Sequence, residues 1–335
     1  MKKMDLNEIK EIPKNYFKET LRSFFKLEKL KRISHFSGVH FNDAEKELAK
    51  KIDNYKKVEK EAIKTWKIVE LSRNENRPHT PDYISNIFED FIELSGDRQT
   101  AEDKSITAGL GKINGATVAV IGHNKGKDIK ERVEFNFGMS MPQGYRKSQR
   151  VMQLAGRFGF PIITFIDTPG AYAALEAEDS GQASAIAKSL LTMFELEVPV
   201  IVVLIGEGGS GGALALAIGN YVMMLENSTY SVISPEGCAA ILWKDLSGSK
   251  LAARALKLTS RSLLRMGVID RIIFEPLGGA QTDPVRMVRI LKRYIVLALD
   301  KFKSTDGKQL KEQRAQKFET MGFLAASSQD LFSDK

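Results

Sequence analysis

Two short strings hold the residue types from which an active site could be assembled. The first is Glu207-Gly208-Gly209-Ser210-Gly211-Gly212, which follows an apolar run and precedes a helix-like stretch. Glycines let the main chain turn sharply and come close to a ligand. Amide N–H groups at a helix start favour negative charge, so such a turn could hold a phosphate, a carboxylate or a developing oxyanion. A phosphate-binding P-loop would end in Gly-Lys-Ser/Thr, and no lysine lies between Lys188 and Lys244. A serine nucleophile elbow, G-x-S-x-G, is literally present from Gly208 to Gly212. It needs a histidine downstream in the α/β-hydrolase order, but His35, His40, His79 and His123 all lie upstream. A different triad using His123 stays open. The remaining reading needs backbone amides alone, as an oxyanion hole.

The second string is Asp167-Thr168-Pro169-Gly170-Ala171-Tyr172, at the end of another apolar run. In open parallel sheets ligands bind at the carboxyl ends of strands, so two such turns side by side would frame one pocket. Asp167 could be a base, a metal ligand or a turn carboxylate accepting nearby N–H bonds.

The elements that would position these turns follow from periodicity. Residues 43–71 carry Leu48, Ile52, Tyr55, Val58, Ala62, Trp66 and Val69 at helical spacing, with no Pro or Gly. The Arg77-Pro78-His79-Thr80-Pro81 string punctuates the chain, and residues 80–94 read as a short helix. Asn114-Gly115 between two apolar runs predicts a hairpin over 106–122. A polar loop at 123–147, a helix at 148–158, a buried strand at 160–166 and a helix at 180–194 come next. A second buried strand is predicted at 198–205, the glycine turn at 206–212, a helix from 213 to 218, and strands at 221–225 and 230–233. The chain then reads as helical to about residue 300, with a polar tail. Near-continuous apolar strands alternating with helices predict a largely parallel sheet covered by helices, an α/β fold. The predicted organisation is a basic helical arm at 1–76, one catalytic domain at 77–303 and a polar tail at 304–335.

Composition narrows the class. The 335 residues are 43% hydrophobic and 27% charged, which excludes a disordered or collagen-like chain. A single cysteine, Cys238, excludes an intrachain disulfide and a cysteine zinc site built from this chain alone. The longest apolar run, 198–205, is far short of the ~20 residues of a membrane helix. An N-terminus without an apolar signal core points to a soluble intracellular protein, cytoplasmic, or of the plastid stroma if plastid-encoded. Of the net charge of +8, residues 1–76 contribute 19 − 13 = +6, with acidic residues interleaved. That arm reads as a solvated helical face, or as a surface for a polyanion.

Taken together and in order, Gly122-His123-Asn124-Lys125-Gly126, Asn136-Phe137-Gly138-Met139, Gly144-Tyr145-Arg146-Lys147, Ile166 to Tyr172, Ile205 to Ala213, Tyr230 to Ala239 and Glu275-Pro276-Leu277-Gly278-Gly279-Ala280 resemble the carboxyltransferase subunit α of bacterial and plastid acetyl-CoA carboxylase. The resemblance covers roughly residues 77–300. It implies a crotonase-like fold of stacked ββα units, and an α2β2 assembly with a β subunit that carries the zinc. It also implies carboxyl transfer from carboxybiotin, held on a carrier protein, to acetyl-CoA, giving malonyl-CoA for fatty acid synthesis. ATP would be used by a separate biotin carboxylase.

The resemblance assigns the biotin-side oxyanion hole to the amides of Gly208 and Gly209, with Gly211 and Gly212 shaping the turn and no metal. Gly170, Ala171 and Tyr172 would be the adjoining wall. Ser234, Glu236 and Gly237 would frame the pocket or a subunit contact. His123, Lys125, Arg146 and Lys147 would meet CoA phosphates or the carboxylate, or else form salt bridges. Three departures stand out: Ala173-Ala174 replaces the usual Pro-Gly, Ser180 replaces an arginine, and Gln143 replaces a common glutamate. The first predicts an altered loop beside the pocket. Two other functions compete: a stand-alone crotonase-like acyl-CoA hydrolase or isomerase, and an mRNA-binding regulatory subunit using the basic arm.

Overall fold

Apolar side chains alternate between the two faces of a sheet, and both faces are buried. The computed structural model describes residues 16–37 and 40–322. Its strands are β1 (Glu89–Glu93), β2 (Ile106–Ile113), β3 (Ala116–His123), β4 (Ile162–Thr168), β5 (Val200–Gly209), β6 (Tyr221–Leu225), β7 (Thr229–Ser231) and β8 (Arg271–Ile273). They form one sheet in the order β1-β2-β3-β4-β5-β6-β8, with β7 paired to β5. The β1/β2 and β2/β3 pairs are antiparallel and the rest are parallel. On one face Ala119, Ile121, Ile162, Ile166, Val200, Val202 and Leu204 pack with Tyr145, Val151 and Met152 of the helix Pro142–Phe158. On the other, Val118, Val120, Ile163, Phe165, Ile201, Val203 and Ile205 pack with Tyr83 and Ile87 of the helix Thr80–Ile87 and with Met287, Leu291 and Ile295 of the helix Pro284–Phe302. Period-two sorting onto two covered faces is why these strands read as continuous apolar runs.

The hairpin stands as predicted, with Asn114 and Gly115 both at positive φ (49° and 78°), as a two-residue turn of this hand requires. Several boundaries differ. The helix expected over 80–94 ends at Ile87, and Glu89–Glu93 is an edge strand. Its charged sequence and an irregular register hide any alternation. The expected loop at 123–147 holds the helix Ile129–Glu134, and the next helix begins at Pro142, six residues early. The glycine turn is shorter than expected: β5 continues through Gly209, held by β4 on one side and β7 on the other. The region read as helical to residue 300 contains strand β8. The polar tail holds a helix, Gly307–Glu319, in which Arg314 is fully buried. Its guanidinium donates to the carbonyls of Met193 (2.6 Å), Leu196 (2.8 Å) and Val198 (2.9 Å) and to Asn220 Oδ1 (2.8 Å).

The chain divides into two compact units. One comprises the described residues up to Lys67 together with Ser234–Lys257, and the other Ile68–Ile233 with the described residues from Leu258 onward. The first holds the helix Tyr16–Ser37, most of the helix Asn42–Ser72, and the helices Pro235–Trp243 and Ser249–Ala255. Arg254 Nε donates to Glu61 Oε2 at 2.6 Å within it. The second holds the whole sheet. No helix among the described residues is long and apolar enough to cross a membrane.

Candidate functional site

The carboxyl ends of β4 and β5 lie side by side, but not in simple register. Ile166 faces Leu204 and Thr168 faces Gly208, so β5 advances four residues while β4 advances two. This bulge displaces the ladder at residues 205–207, where backbone groups need other partners. Two side chains supply them. The Glu207 N–H donates to Asp167 Oδ1 at 3.0 Å, and the Ile205 carbonyl accepts from Arg77 Nη2 at 2.9 Å.

Beyond the bulge, the two predicted turns meet backbone to backbone. A Cβ at Gly209 would stand 2.0 Å from the Pro169 carbonyl oxygen, and one at Gly212 would stand 2.4 Å from the Ala171 nitrogen. Only hydrogen fits at either position. Gly211 is different, since its nearest neighbour is an Ile186 methyl at 3.7 Å. Ser210 opens the helix Ser210–Leu214 with φ at 50°, an uncommon conformation for a residue with a side chain. The Pro169-Gly170 corner is held by Thr168 Oγ1, which accepts from the Gly170 N–H (3.1 Å) and donates to the Gly170 carbonyl (2.6 Å). Tyr172 N–H donates to the Ser140 carbonyl at 3.1 Å. Gly170, Ala171, Gly208, Gly209 and Gly212 thus come together as the sequence predicts.

Beneath this junction lies a charged cluster. Lys125 Nζ stands 2.7 Å from Asp167 Oδ1 and 3.0 Å from Glu207 Oε2. Arg73 Nε pairs with Glu207 Oε1 at 2.7 Å, and His79 Nδ1 lies 3.2 Å from Asp167 Oδ2. Burial pushes the Asp167 carboxyl up, but the Lys125 charge and the His79 contact outweigh it and hold it well below the usual carboxylate range. Burial likewise opposes the Lys125 charge, and Asp167 and Glu207 more than restore it. Arg73, His79, Lys125, Glu207, Pro169 and Phe137 help line a cavity of about 200 Å³. Alongside, Arg77 and Glu275 form a bidentate pair (2.9 and 2.7 Å) whose side chains are 2% and 0% exposed. Glu275 also accepts from the Asn227 and Ala280 N–H groups, at 3.0 and 2.8 Å.

The predicted basic residues take structural partners. His123 is fully buried, its Nδ1 3.5 Å from the Asp167 nitrogen, and burial drives its pKa down to about 4. A neutral buried ring does not reach an exposed phosphate. Lys147 is 0% exposed; it pairs with Glu102 and donates to the Asp103 carbonyl at 2.8 Å. Arg146 pairs with Asp97 at 2.8 Å and donates to the Ser180 carbonyl at 3.2 Å. The alternative foreseen for these residues, salt bridges, describes Lys125, Arg146 and Lys147. Ser234, Glu236 and Gly237 belong to the other compact unit, where Ser234 Oγ caps its helix by accepting the Gly237 N–H at 3.0 Å. Ala174 sits at φ −128°, so the departure from Gly creates no backbone strain there. Sequence reasoning missed Arg73, Arg77 and His79. The Arg77-Pro78-His79 string reads in sequence only as punctuation, and nothing local shows that it folds onto β4 and β5. Among the described residues no group of three or more His, Cys, Asp or Glu could hold a metal ion.

Comparisons with known proteins agree with this arrangement. Acetyl-coenzyme A carboxylase carboxyl transferase subunit alpha of Thermus thermophilus is 45% identical over 314 residues, covering 94% of this chain and 99% of the relative. The subunit of the same name from Geobacter sulfurreducens is 52% identical over 272 residues, covering 81% and 85%. Among solved structures, transcarboxylase 12S shares the fold with a TM-score of 0.57 at 17% identity, over 68% of this chain and 42% of that one. The Pseudomonas aeruginosa geranyl-CoA carboxylase β subunit gives 0.53 at 17% identity, over 71% and 43%. The α/β fold is therefore the crotonase-like one of carboxyltransferase domains. A family model described as acetyl co-enzyme A carboxylase carboxyltransferase-like matches residues 16–322, and the chain belongs to that family.

Proposed function

We propose that this chain is the α subunit of an acetyl-CoA carboxylase carboxyltransferase. With a β subunit it transfers a carboxyl group from carboxybiotin on a carrier protein to acetyl-CoA, forming malonyl-CoA, the first committed step of fatty acid synthesis. Zinc is placed in the β subunit, and ATP use in a separate biotin carboxylase. The observation that carries the reading is the near-full-length likeness to carboxyl transferase α subunits, coupled to two strand-end turns joined main chain to main chain.

Biotin supplies a ureido group that gives up the carboxyl and takes on negative charge at its oxygen. The reading gives the amides of Gly208 and Gly209 the oxyanion role, and the carboxylates beneath them are neutralised by Arg73 and Lys125. A preorganised donor aimed at developing charge is worth roughly 3–4 kcal/mol in such sites. Gly170, Ala171 and Tyr172 form the adjoining wall, while Ser234, Glu236 and Gly237 are assigned to a subunit contact. His123 is a buried, neutral packing residue beside Asp167. No side-chain nucleophile is required, so Ser210 serves as a helix-start residue.

The test combines the purified chain, a zinc-containing β subunit and carboxybiotin, and measures malonyl-CoA. Turnover is expected only with both subunits. Equal turnover by this chain alone would overturn the shared-site reading in favour of a stand-alone acyl-CoA enzyme. Binding of mRNA to the basic arm, as a secondary activity, would weaken steeply with salt and survive substitution at Gly209.

A further inference from the structure

The string Asn136-Phe137-Gly138-Met139 reaches the strand-end cavity through one strained aromatic residue. We propose that this cavity seats the ureido-bearing ring of biotin, with the Phe137 ring as its apolar wall and His79 Nε2 as the acceptor for a ureido N–H. This rests on the carboxybiotin reading, and is independent of which groups meet the charge on the ureido oxygen.

Asn136, Phe137 and Gly138 stand at φ 48°, 56° and 80°. Residues with side chains enter the left-handed region singly and at a cost, and a bulky one there is an outlier. The turn is braced. The Gly138 N–H donates to the Phe135 carbonyl and the Met139 N–H to the Asn136 carbonyl, both at 2.9 Å. A Cβ at Gly138 would stand 2.8 Å from Lys125 Cγ and 3.1 Å from the Asp167 carbonyl oxygen, so the turn presses directly on the charged cluster. Burial does not offset the strain, because Phe137 is 49% exposed. Its side chain instead lines the cavity together with Pro169. A strained residue that gains so little packing is explained by a ligand it contacts.

The rest of the lining is polar, and its charges are matched. Arg73 and Lys125 pair with Glu207, Lys125 also with Asp167, and Arg132 with Glu75 at 2.7 Å. A free anion would lack an uncommitted counter-charge, so the cavity suits a neutral hydrogen-bonding group. One polar atom is unmatched. His79 is 7% exposed and lines the cavity, and its Nε2 has no hydrogen-bond partner among the described residues. Its Nδ1 faces Asp167 Oδ2 at 3.2 Å. Lys125 keeps that carboxylate ionised, and an ionised carboxylate only accepts. The proton of the neutral ring is therefore assigned to Nδ1, which leaves a lone pair on Nε2 in want of a donor. The volume of about 200 Å³ lies below the roughly 300–1,000 Å³ of pockets for drug-sized ligands, so it admits a small ring system and not a whole coenzyme A. The fused ring of biotin has the required build: an apolar thioether half for Phe137 and Pro169, and a neutral urea edge with an N–H to give.

The experiment measures the Kd of free biotin for the reconstituted α–β complex by saturation-transfer NMR. The melting temperature of each variant, and KM for malonyl-CoA in the reverse carboxylation of free biotin, are measured alongside. Phe137→Gly removes the ring and relieves the left-handed backbone, so it should raise the biotin Kd about tenfold without lowering the melting temperature. His79→Asn keeps a donor near Nδ1 for Asp167 but has no atom at the Nε2 position, and should raise the Kd about tenfold as well. His79→Gln returns an acceptor near Nε2 and should lose less. KM for malonyl-CoA should stay unchanged in all three. Phe137→Gly carries the test should the His79 variants not assemble. An unchanged biotin Kd in Phe137→Gly or His79→Asn would overturn the inference. So would a parallel rise in KM for malonyl-CoA, or weaker binding in Phe137→Gly accompanied by a lower melting temperature. Active wild-type enzyme that shows no saturation transfer to the biotin ring would overturn it too. If the wild-type complex makes malonyl-CoA from carboxybiotin and the variants bind biotin as tightly as it does, the cavity assignment alone fails. If the wild-type complex neither binds biotin nor makes malonyl-CoA, the carboxyltransferase reading fails and takes this inference with it.

Discussion

Replacing Gly209 by alanine adds one carbon and two hydrogens, yet the structure assigns it a large effect. The new carbon would lie 2.0 Å from the Pro169 carbonyl oxygen and 2.3 Å from the Pro169 carbonyl carbon, both main-chain atoms with no rotamer to escape through. Non-bonded carbon contacts settle near 3.5–4.0 Å, so the two turns must part by more than about 1 Å. A displacement of that size at a reacting centre costs about 100-fold in rate, and loss of one oxyanion donor costs about 100- to 1000-fold in kcat. Gly209→Ala should therefore lower kcat for malonyl-CoA formation by two to three orders of magnitude, corresponding to roughly 3–4 kcal/mol. Gly211→Ala is the matched control. Its added carbon meets only an Ile186 methyl at 3.7 Å, an ordinary contact. Steady-state kinetics of the reconstituted enzyme, with thermal melts of each variant, make the comparison. Equal losses at 209 and 211, or full activity at 209, would refute the idea that the turns work through their close approach.

Ser210→Ala should keep most of its turnover in the same assay, since the proposed chemistry uses main-chain donors; a loss comparable to Gly209→Ala would restore the nucleophile reading. Arg77→Met leaves Glu275 buried without its cation and should destabilise the fold by about 3–5 kcal/mol, read as a fall in melting temperature. Arg314→Met removes four buried hydrogen bonds at once and should lower the melting temperature by a comparable amount, with kcat of the surviving enzyme little changed. Acid sensitivity has a stated origin in His123, held neutral with a pKa of about 4 against an ordinary 6.5. Between those values the unfolded chain binds the proton and the folded chain does not, so stability falls as pH drops below 6.5 and levels near 4, for roughly 3 kcal/mol in all. His123→Gln should flatten that part of the stability–pH curve measured by denaturant unfolding.

The parts of the fold that were legible are those whose signal is local. Asn114-Gly115 announces its own turn, and the apolar strings of β4 and β5 announce buried strands. The glycine junction was legible because four small residues in five positions have few other uses. Glu89–Glu93 was not legible, because its strand identity comes from pairing with β2 and not from its own charged residues. Gly208 and Gly209 read as a turn in sequence because glycine weakens a strand locally, whereas pairing to β4 and β7 overrides that preference. The helix at Gly307–Glu319 looked like a tail because the residue that anchors it is an arginine, and its four oxygen partners are contributed by distant segments. The Asp167 cluster was invisible for the same reason: Arg73, His79, Lys125 and Glu207 are separated by up to 134 positions.

The junction of Pro169 with Gly209 also determines how this enzyme can be interrogated. Machinery built of peptide groups offers no functional side chain to delete, so truncation scanning would pass over it and score the supporting ion pairs instead. Informative libraries would add atoms rather than remove them, and atom-for-atom edits of the peptide link itself, such as an ester in place of an amide at 209, would silence a donor while leaving every side chain untouched.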